Sequence, residues 1–308
     1  MLKHYEGELG IFDYDDNLWE LDPFAEMGGL QYIGRIRNGK IIGEIPKGVK
    51  DCSQMFSNCE SLEIAPEIPE GVMRTNGMFM GCSKLRETPQ IPSTVIECCY
   101  MFCGCESLEQ YSLIPGNIKD CTGMFKGCTR LEMAPELSEG IEDCTALFKG
   151  CKKLKKAPKI PDSVKYCPYL FDDCESLEQG TKFPDGIKNC TAIYRGCINL
   201  KGIDDENTGW IPESAKICKE MFSGCESLEQ PPEIPDGVEH CNKMFYDCKS
   251  LKQAPKVPGS AKICDFMFYG CESLEQKPEI TNGIANSISV FGRCHFEKLK
   301  ETSNTSIG

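Results

Sequence analysis

Cys225-Glu-Ser-Leu-Glu-Gln-Pro-Pro-Glu-Ile-Pro-Asp-Gly-Val238 is one copy of a pattern that returns, slightly altered, from Cys59 to Cys294. Its marker cysteines are Cys59, Cys82, Cys105, Cys128, Cys151, Cys174, Cys197, Cys225, Cys248, Cys271 and Cys294. Neighbouring markers stand 23 residues apart, except Cys197 and Cys225, which stand 28 apart. A fixed period of this size predicts a stack of like units, a repeat solenoid.

Aligned on the markers, a unit reads C-x-x-M-F-x-x-C-x-x-L-x-x-x-P-x-I-P-x-x-V-x-x, and eleven units follow one another, the last incomplete. Thr75 and Ser287 replace the first cysteine in two units, so that slot calls for a small side chain rather than for a thiol. The bulky pair runs from Met55-Phe56 through Met221-Phe222 to Val290-Phe291. The leucine runs from Leu62 through Leu108 and Leu228 to Leu274. One unit alone cannot cover its apolar stripe; stacked on its neighbours, each stripe becomes part of a shared core. The marker cysteines and leucines then form core ladders, about 4.8 Å per rung if the rungs pair as strands. Eleven such rungs predict a rod roughly 50 Å long.

Within the unit, Pro-x-Ile-Pro resists helix and predicts a short strand followed by a corner. Asp185-Gly186 and Asp236-Gly237 are turn chemistry. The Val-x-x-Cys that follows predicts a second short parallel strand. Met-Phe-x-x-Cys-x-x-Leu has apolar residues three apart, which predicts one helical or 3₁₀ turn.

Phe222-Ser-Gly-Cys-Glu-Ser-Leu228 and Ile234-Pro-Asp-Gly-Val238 resemble the BspA-like, Treponema-type leucine-rich repeats, whose unit carries an aromatic, then Gly-Cys-x-x-Leu, then an apolar-Pro corner and a valine. The resemblance covers residues 45 to about 295. It implies a leucine-rich-repeat-like array, and an interaction or surface protein of the kind found in bacteria and protists. The chain departs from the family pattern where it has its first cysteine in place of isoleucine, and where Pro66 or Pro255 stands in place of an apolar strand residue.

Three segments follow: an N-terminal β-hairpin cap over 1–44, the array over 45–295, and a cap remnant with a polar tail over 296–308. In the first, Leu9 to Leu21 reads as a hairpin, and Asn38-Gly39 between apolar runs is a two-residue hairpin signal. A solenoid needs such a cover for its first rung.

The chain carries 47 acidic and 34 basic side chains, a net charge of −13. That disfavours direct nucleic-acid binding and anionic membranes, and it favours a protein partner with a basic surface. Of 22 cysteines, all but Cys99 and Cys103 hold ladder positions. Small buried residues suit a tight interior, and free Cys is among the most buried residue types. Met1-Leu-Lys-His-Tyr-Glu-Gly7 has no apolar signal core, and no membrane span is legible. Reduced structural thiols and a cytoplasmic location are therefore expected. The alternatives are a disulfide network and a cell surface reached through an export signal not seen here.

Candidate binding residues come from breaks in the repeat. The five-residue insertion between Leu200 and Ile211 holds Asp204, Asp205, Glu206, Asn207 and Trp210. Insertions in repeat arrays map to loops, often on the binding face, and Trp is enriched among interface anchors. The competing reading folds Trp210 onto its own core; a calcium site in the acidic run lacks EF-hand spacing. Tyr246 and Tyr269, one rung apart between Phe and marker cysteine, predict an aromatic patch. Cys99 and Cys103 could bind zinc only with Cys98 and Cys105, which have ladder roles; otherwise they are a surface thiol pair. Acidic units often neighbour basic ones: Glu226 and Glu229 lie between Lys201 and the pair Lys249 and Lys252. Such alternation lets rungs stack without like charges meeting.

The three histidines, His4, His240 and His295, are scattered, and no phosphate loop, nucleophile elbow or metal motif is present. The reading is a non-catalytic protein-binding scaffold, without cofactor or metal, inhibiting or adapting another protein inside the cell. A surface adhesin is the first alternative. An acidic nucleic-acid mimic is the second, and the lysine-rich rungs near 152–159 and 249–256 interrupt any acidic stripe it would need.

Overall fold

Two backbone positions in every repeat, four residues apart, lie in the left-handed region and exclude a helix between them. They are Gln54 and Asn58 in the first repeat, at φ 58° and 60°, and Phe266 and Gly270 in the tenth, at 56° and 78°. The computed structural model describes residues 26–27, 30–31, 35–42, 44–203, 209–277 and 287–295, and both positions are left-handed in all eleven repeats.

The destinations of the amides explain this backbone. Met55, Ser57 and Cys59 close tight turns onto the carbonyls of Cys52, Gln54 and Phe56, at 3.2, 3.0 and 3.2 Å. The amides between them, of Gln54, Phe56 and Asn58, turn outward. They donate to Asn76, Met78 and Met80 of the next repeat at 2.8, 2.9 and 2.6 Å. A helix would keep all of these bonds inside one segment. The expected helical or 3₁₀ turn is thus replaced by linked β-turns that share half their donors with a neighbour. Among the described residues there is no helix.

Parallel pairing is reduced to short contacts on either side of these turns. Before the first cysteine slot, Asp51, Arg74 and Glu97 bridge in series, as do Asn189, Ile217, His240 and Ile263. After the leucine, Glu87 pairs with Gln110, and Gln179–Gly180 pairs in parallel with Gly202–Ile203. Among the described residues the expected strand over Pro-x-Ile-Pro does not form: proline has no amide to donate, and apart from an isolated bridge at Val257 pairing stops just before it.

Near the N-terminus, β1 (Glu26–Met27) pairs antiparallel with β2 (Leu30–Gln31), and β3 (Arg35–Arg37) with β4 (Lys40–Ile42). Asn38 and Gly39 form the turn between β3 and β4 with φ 52° and 71°, as a two-residue hairpin requires. The amides of Glu63 and Ile64 donate to the Gly39 carbonyl, which joins this hairpin to the first repeat. The hairpin expected between Leu9 and Leu21 lies outside the described residues, as does the tail after 295.

The chain divides into two compact units, Met1–Lys152 and Lys153–Gly308. Inside the first, Phe56, Phe79, Phe102, Phe125 and Phe148 stack face to face, with ring centres 5.4, 5.6, 5.8 and 6.0 Å apart. Inside the second, Phe171, Tyr194, Phe222, Phe245, Phe268 and Phe291 do the same at 5.6, 5.7, 5.5, 5.5 and 5.6 Å. The ladder leucines, from Leu62 to Leu274, are buried beside them. Burial of each such side chain stabilises the fold by roughly 1.5–3 kcal/mol.

The thiols do more than fill space. Cys82, Cys105, Cys128 and Cys151 each donate through Sγ to the carbonyl of the Phe one repeat back, at 3.1, 3.2, 3.2 and 3.2 Å. Cys197, Cys248 and Cys271 repeat the bond in the second unit at 3.1 Å each. The first-slot side chains donate forward instead: Cys121 reaches the Asp143 carbonyl at 3.3 Å, and Thr75 reaches that of Glu97 at 3.1 Å. A hydroxyl therefore serves in that slot as well as a thiol. Among the described residues every cysteine is free, and all but Cys99, Cys103 and Cys294 are buried.

Candidate functional site

The charged ladders largely satisfy themselves. Lys201 pairs with Glu178 at 2.9 Å, Lys249 with Glu226 at 2.6 Å, and Lys252 with Glu229 at 2.5 Å, each across one repeat step. Lys262 pairs with Glu239, also at 2.5 Å. In the first unit Arg74 holds Asp51 at 2.8 Å. Exposed pairs of this kind add little to stability. Their alternation keeps like charges from stacking, and it leaves no unbroken acidic stripe on these ladders.

The surface over the linked β-turns is different. Two slots line it, two and five residues before each marker cysteine. In the second unit the first holds Asp172, Arg195, Ser223, Tyr246, Tyr269 and Gly292, and the second holds Tyr169, Ala192, Glu220, Lys243, Phe266 and Ser289. Tyr246 and Tyr269 stack with ring centres 5.2 Å apart and planes within 6°. The Lys243 ammonium lies 5.7 Å from the centre of the Tyr246 ring, and the Arg293 guanidinium 5.4 Å from that of Tyr269. Phe266 packs edge-on against Tyr269 at 5.8 Å. The predicted aromatic patch therefore exists as a stacked pair, with a cation over each ring.

On the same surface, Arg195 is gripped from both sides. It donates to both carboxylate oxygens of Asp172, at 2.8 and 2.6 Å, and to Glu220 at 2.7 Å. Asp172 is fully buried. The bond to Asp172 is the main reason that the guanidinium is held even more firmly protonated than usual. The guanidinium carbon also lies 5.6 Å from the Tyr169 ring centre. This clamp ties three successive repeats together where the 28-residue spacing falls. The slot comparison places Asp172 and Arg195 one repeat apart; the reach back from Glu220 crosses the insertion and is not legible in the spacing.

Trp210 is buried in the core. It is 1% exposed and packs edge-on against Tyr194 at 6.3 Å and Phe222 at 5.6 Å. The insertion uses its tryptophan to fill the core beside the aromatic stack. This burial agrees with the reading that folds Trp210 onto its own core and speaks against the reading of it as an interface anchor. Among the described residues the buried indole N–H has no acceptor. Tyr194, which replaces phenylalanine in the stack, anchors the neighbouring loop by bonding the amide and carbonyl of Thr181 at 2.9 and 3.1 Å. Asp204, Asp205, Glu206 and Asn207 lie outside the described residues.

Cys99 and Cys103 are half-buried. Burial, then the charge of Asp120, pushes the Cys99 thiol up to about 12, and burial also raises Cys103. Both are held as thiols at neutral pH, which argues against an activated pair. Among the described residues no group of three or more His, Cys, Asp or Glu side chains is placed to hold a metal ion. Among those residues, no helix is long and apolar enough to cross a membrane.

A family model described as "BspA type Leucine rich repeat region (6 copies)" matches residues 52–178, 96–212, 136–239 and 210–308. No curated protein matches the chain. Among solved structures, a leucine-rich repeat protein from Bacteroides ovatus ATCC 8483 is similar. It has a TM-score of 0.55 and 23% identity, over 85% of this chain and 70% of that one. At that identity the likeness speaks for the fold.

Proposed function

Because the chain belongs to the BspA-type leucine-rich repeat family, we propose that it is a non-catalytic scaffold that binds another protein, as an inhibitor or adaptor. The observation that carries this reading is the stacked pair Tyr246 and Tyr269 on a partly exposed slot. In the other repeats of the second unit the equivalent slots hold Asp172, Arg195, Ser223 and Gly292. Tyrosine supplies large contact area at low entropic cost and is enriched where proteins bind proteins. The net charge of −13 supports a partner that is basic overall, drawn in by long-range attraction. The pairing of Glu178, Glu226, Glu229 and Glu239 with lysines weighs against nucleic-acid mimicry.

The test is photo-crosslinking from a photoreactive aromatic placed at position 246 or 269, in lysate and on intact cells. A specific adduct at these positions, absent when the probe sits at Tyr166 on the bridge ladder, is expected. Adducts only in lysate support an intracellular scaffold, and adducts on intact cells support the adhesin. Equal labelling from position 166 would contradict the assignment of this surface.

A further inference from the structure

Lys243, Tyr246, Tyr269 and Arg293 form a continuous row across three repeats, and their chemistry specifies what the row accepts. The step rests on the protein-binding reading of the same surface and names the partner's contacting groups. The two tyrosine rings lie face to face, the Lys243 ammonium lies over the Tyr246 ring and the Arg293 guanidinium over the Tyr269 ring, and Tyr269 also lies close against Gly292. The row therefore presents edges, not faces, to an incoming molecule. Those edges are two phenol hydroxyls, an ammonium and a guanidinium, and a neighbour can serve every one of them as an acceptor.

Among the described residues, neither Lys243 nor Arg293 has a carboxylate partner, and neither hydroxyl has a hydrogen-bond partner. Lys249, Lys252 and Lys262 in the same repeats are each paired with a glutamate one step away. The nearby acids are Glu220, Asp247 and Asp265, and Glu220 is held by Arg195 at 2.7 Å. Asp265 accepts the Ile288 amide at 2.8 Å, and Asp247 lies against Gly270. Among the described residues none of the three pairs with the cations of the row.

Phe266 occupies the slot that is left-handed in every repeat, and here its ring braces Tyr269 edge-on.

We propose that this row binds an extended acidic segment of the partner protein. Its carboxylates engage Lys243 and Arg293, and the two hydroxyls donate between them. This is compatible with a partner that is basic overall. Whole-molecule attraction acts at long range and is screened within about 10 Å, whereas the contact is decided by the groups in the row.

The experiment is fluorescence anisotropy of the full chain with a labelled peptide of about twelve residues that alternates glutamate with leucine, at low salt. Controls are the same peptide with glutamine for glutamate, and a single-stranded oligonucleotide of equal charge. The glutamate peptide is expected to bind at least about tenfold more tightly than the glutamine peptide, as charged hydrogen bonds require. Lys243→Gln with Arg293→Gln is expected to erase that difference. Tyr246→Phe with Tyr269→Phe keeps the stack and should weaken binding severalfold. Absence of glutamate-peptide binding, equal binding of the glutamine peptide, or indifference to the Lys243→Gln/Arg293→Gln change would overturn the proposal. Tighter binding of the oligonucleotide would overturn it in favour of nucleic acid. If peptide binding fails while crosslinking from positions 246 and 269 succeeds, the acidic chemistry falls and the scaffold reading stands.

Discussion

The Cys105 thiol donates to the carbonyl oxygen of Phe79, 26 residues earlier in the chain, at 3.2 Å. That carbonyl also accepts the Cys82 amide at 3.1 Å, so the thiol uses its second lone pair. The marker cysteine is thus a small apolar filler and a weak donor at once, and few side chains combine both.

The two cysteine slots should respond differently to substitution. Cys98→Thr is expected to cost less than about 1 kcal/mol, because Thr75 already fills the same slot and donates to the Glu97 carbonyl. Cys105→Ala loses its donor and leaves a gap, and about 1–3 kcal/mol is expected. Urea unfolding of both variants decides it. Equal losses would mean that the hydrogen bonds do not distinguish the slots.

The linked β-turns make a backbone prediction. Gly127, at φ 75°, replaced by alanine should lose about 1–2 kcal/mol. Ala146, at φ 53°, replaced by glycine should be neutral or stabilising by up to about 1 kcal/mol. If these segments were helical, both signs would reverse. Thermal denaturation of the pair reads the answer.

Trp210→Ala tests the insertion as a core element. Removing this ring from between Tyr194 and Phe222 should cost about 3–5 kcal/mol. Crosslinking from position 246, measured at a temperature where the variant is folded, should be unchanged. A stable variant with lost crosslinking would return Trp210 to the interface.

Alkali should unfold this protein early. Desolvation raises most ladder thiols well above their ordinary value of 9.0, with Cys52 pushed up to about 12. A folded-state value above the unfolded one gives stability that is complete below about pH 9 and lost as pH rises through the folded value. Between the two, each thiol removes about 1.4 kcal/mol per pH unit, since only the unfolded chain ionises. Many thiols acting together exceed the roughly 5–15 kcal/mol that holds a domain folded. A steep transition between about pH 9 and 10, followed by circular dichroism, is expected. Unchanged structure at about pH 11 would contradict the burial of the ladders.

Much of this was legible because the period places identical residues over one another. The burial of Leu62, Leu108, Leu228 and Leu274 follows from that alone, as does the stacking of Tyr246 on Tyr269. The helical turn was not, because apolar spacing of three fits a helix and a series of β-turns equally. Only the amides of Gln54, Phe56 and Asn58, reaching the next repeat, separate the two. The glycines before the marker cysteines, such as Gly81 and Gly104, carried the clue in their positive φ. Trp210 stayed open between core and interface because an insertion breaks the register that assigns every other side chain to inside or outside.

The most direct test of the account counts thiols. Without reductant, the native protein should react quickly at no more than the three partly exposed cysteines, Cys99, Cys103 and Cys294, and the unfolded protein at all 22. Fast reaction of most thiols in the native state, or clearly fewer than 22 after unfolding, would contradict a stack of repeats built around a buried, reduced seam.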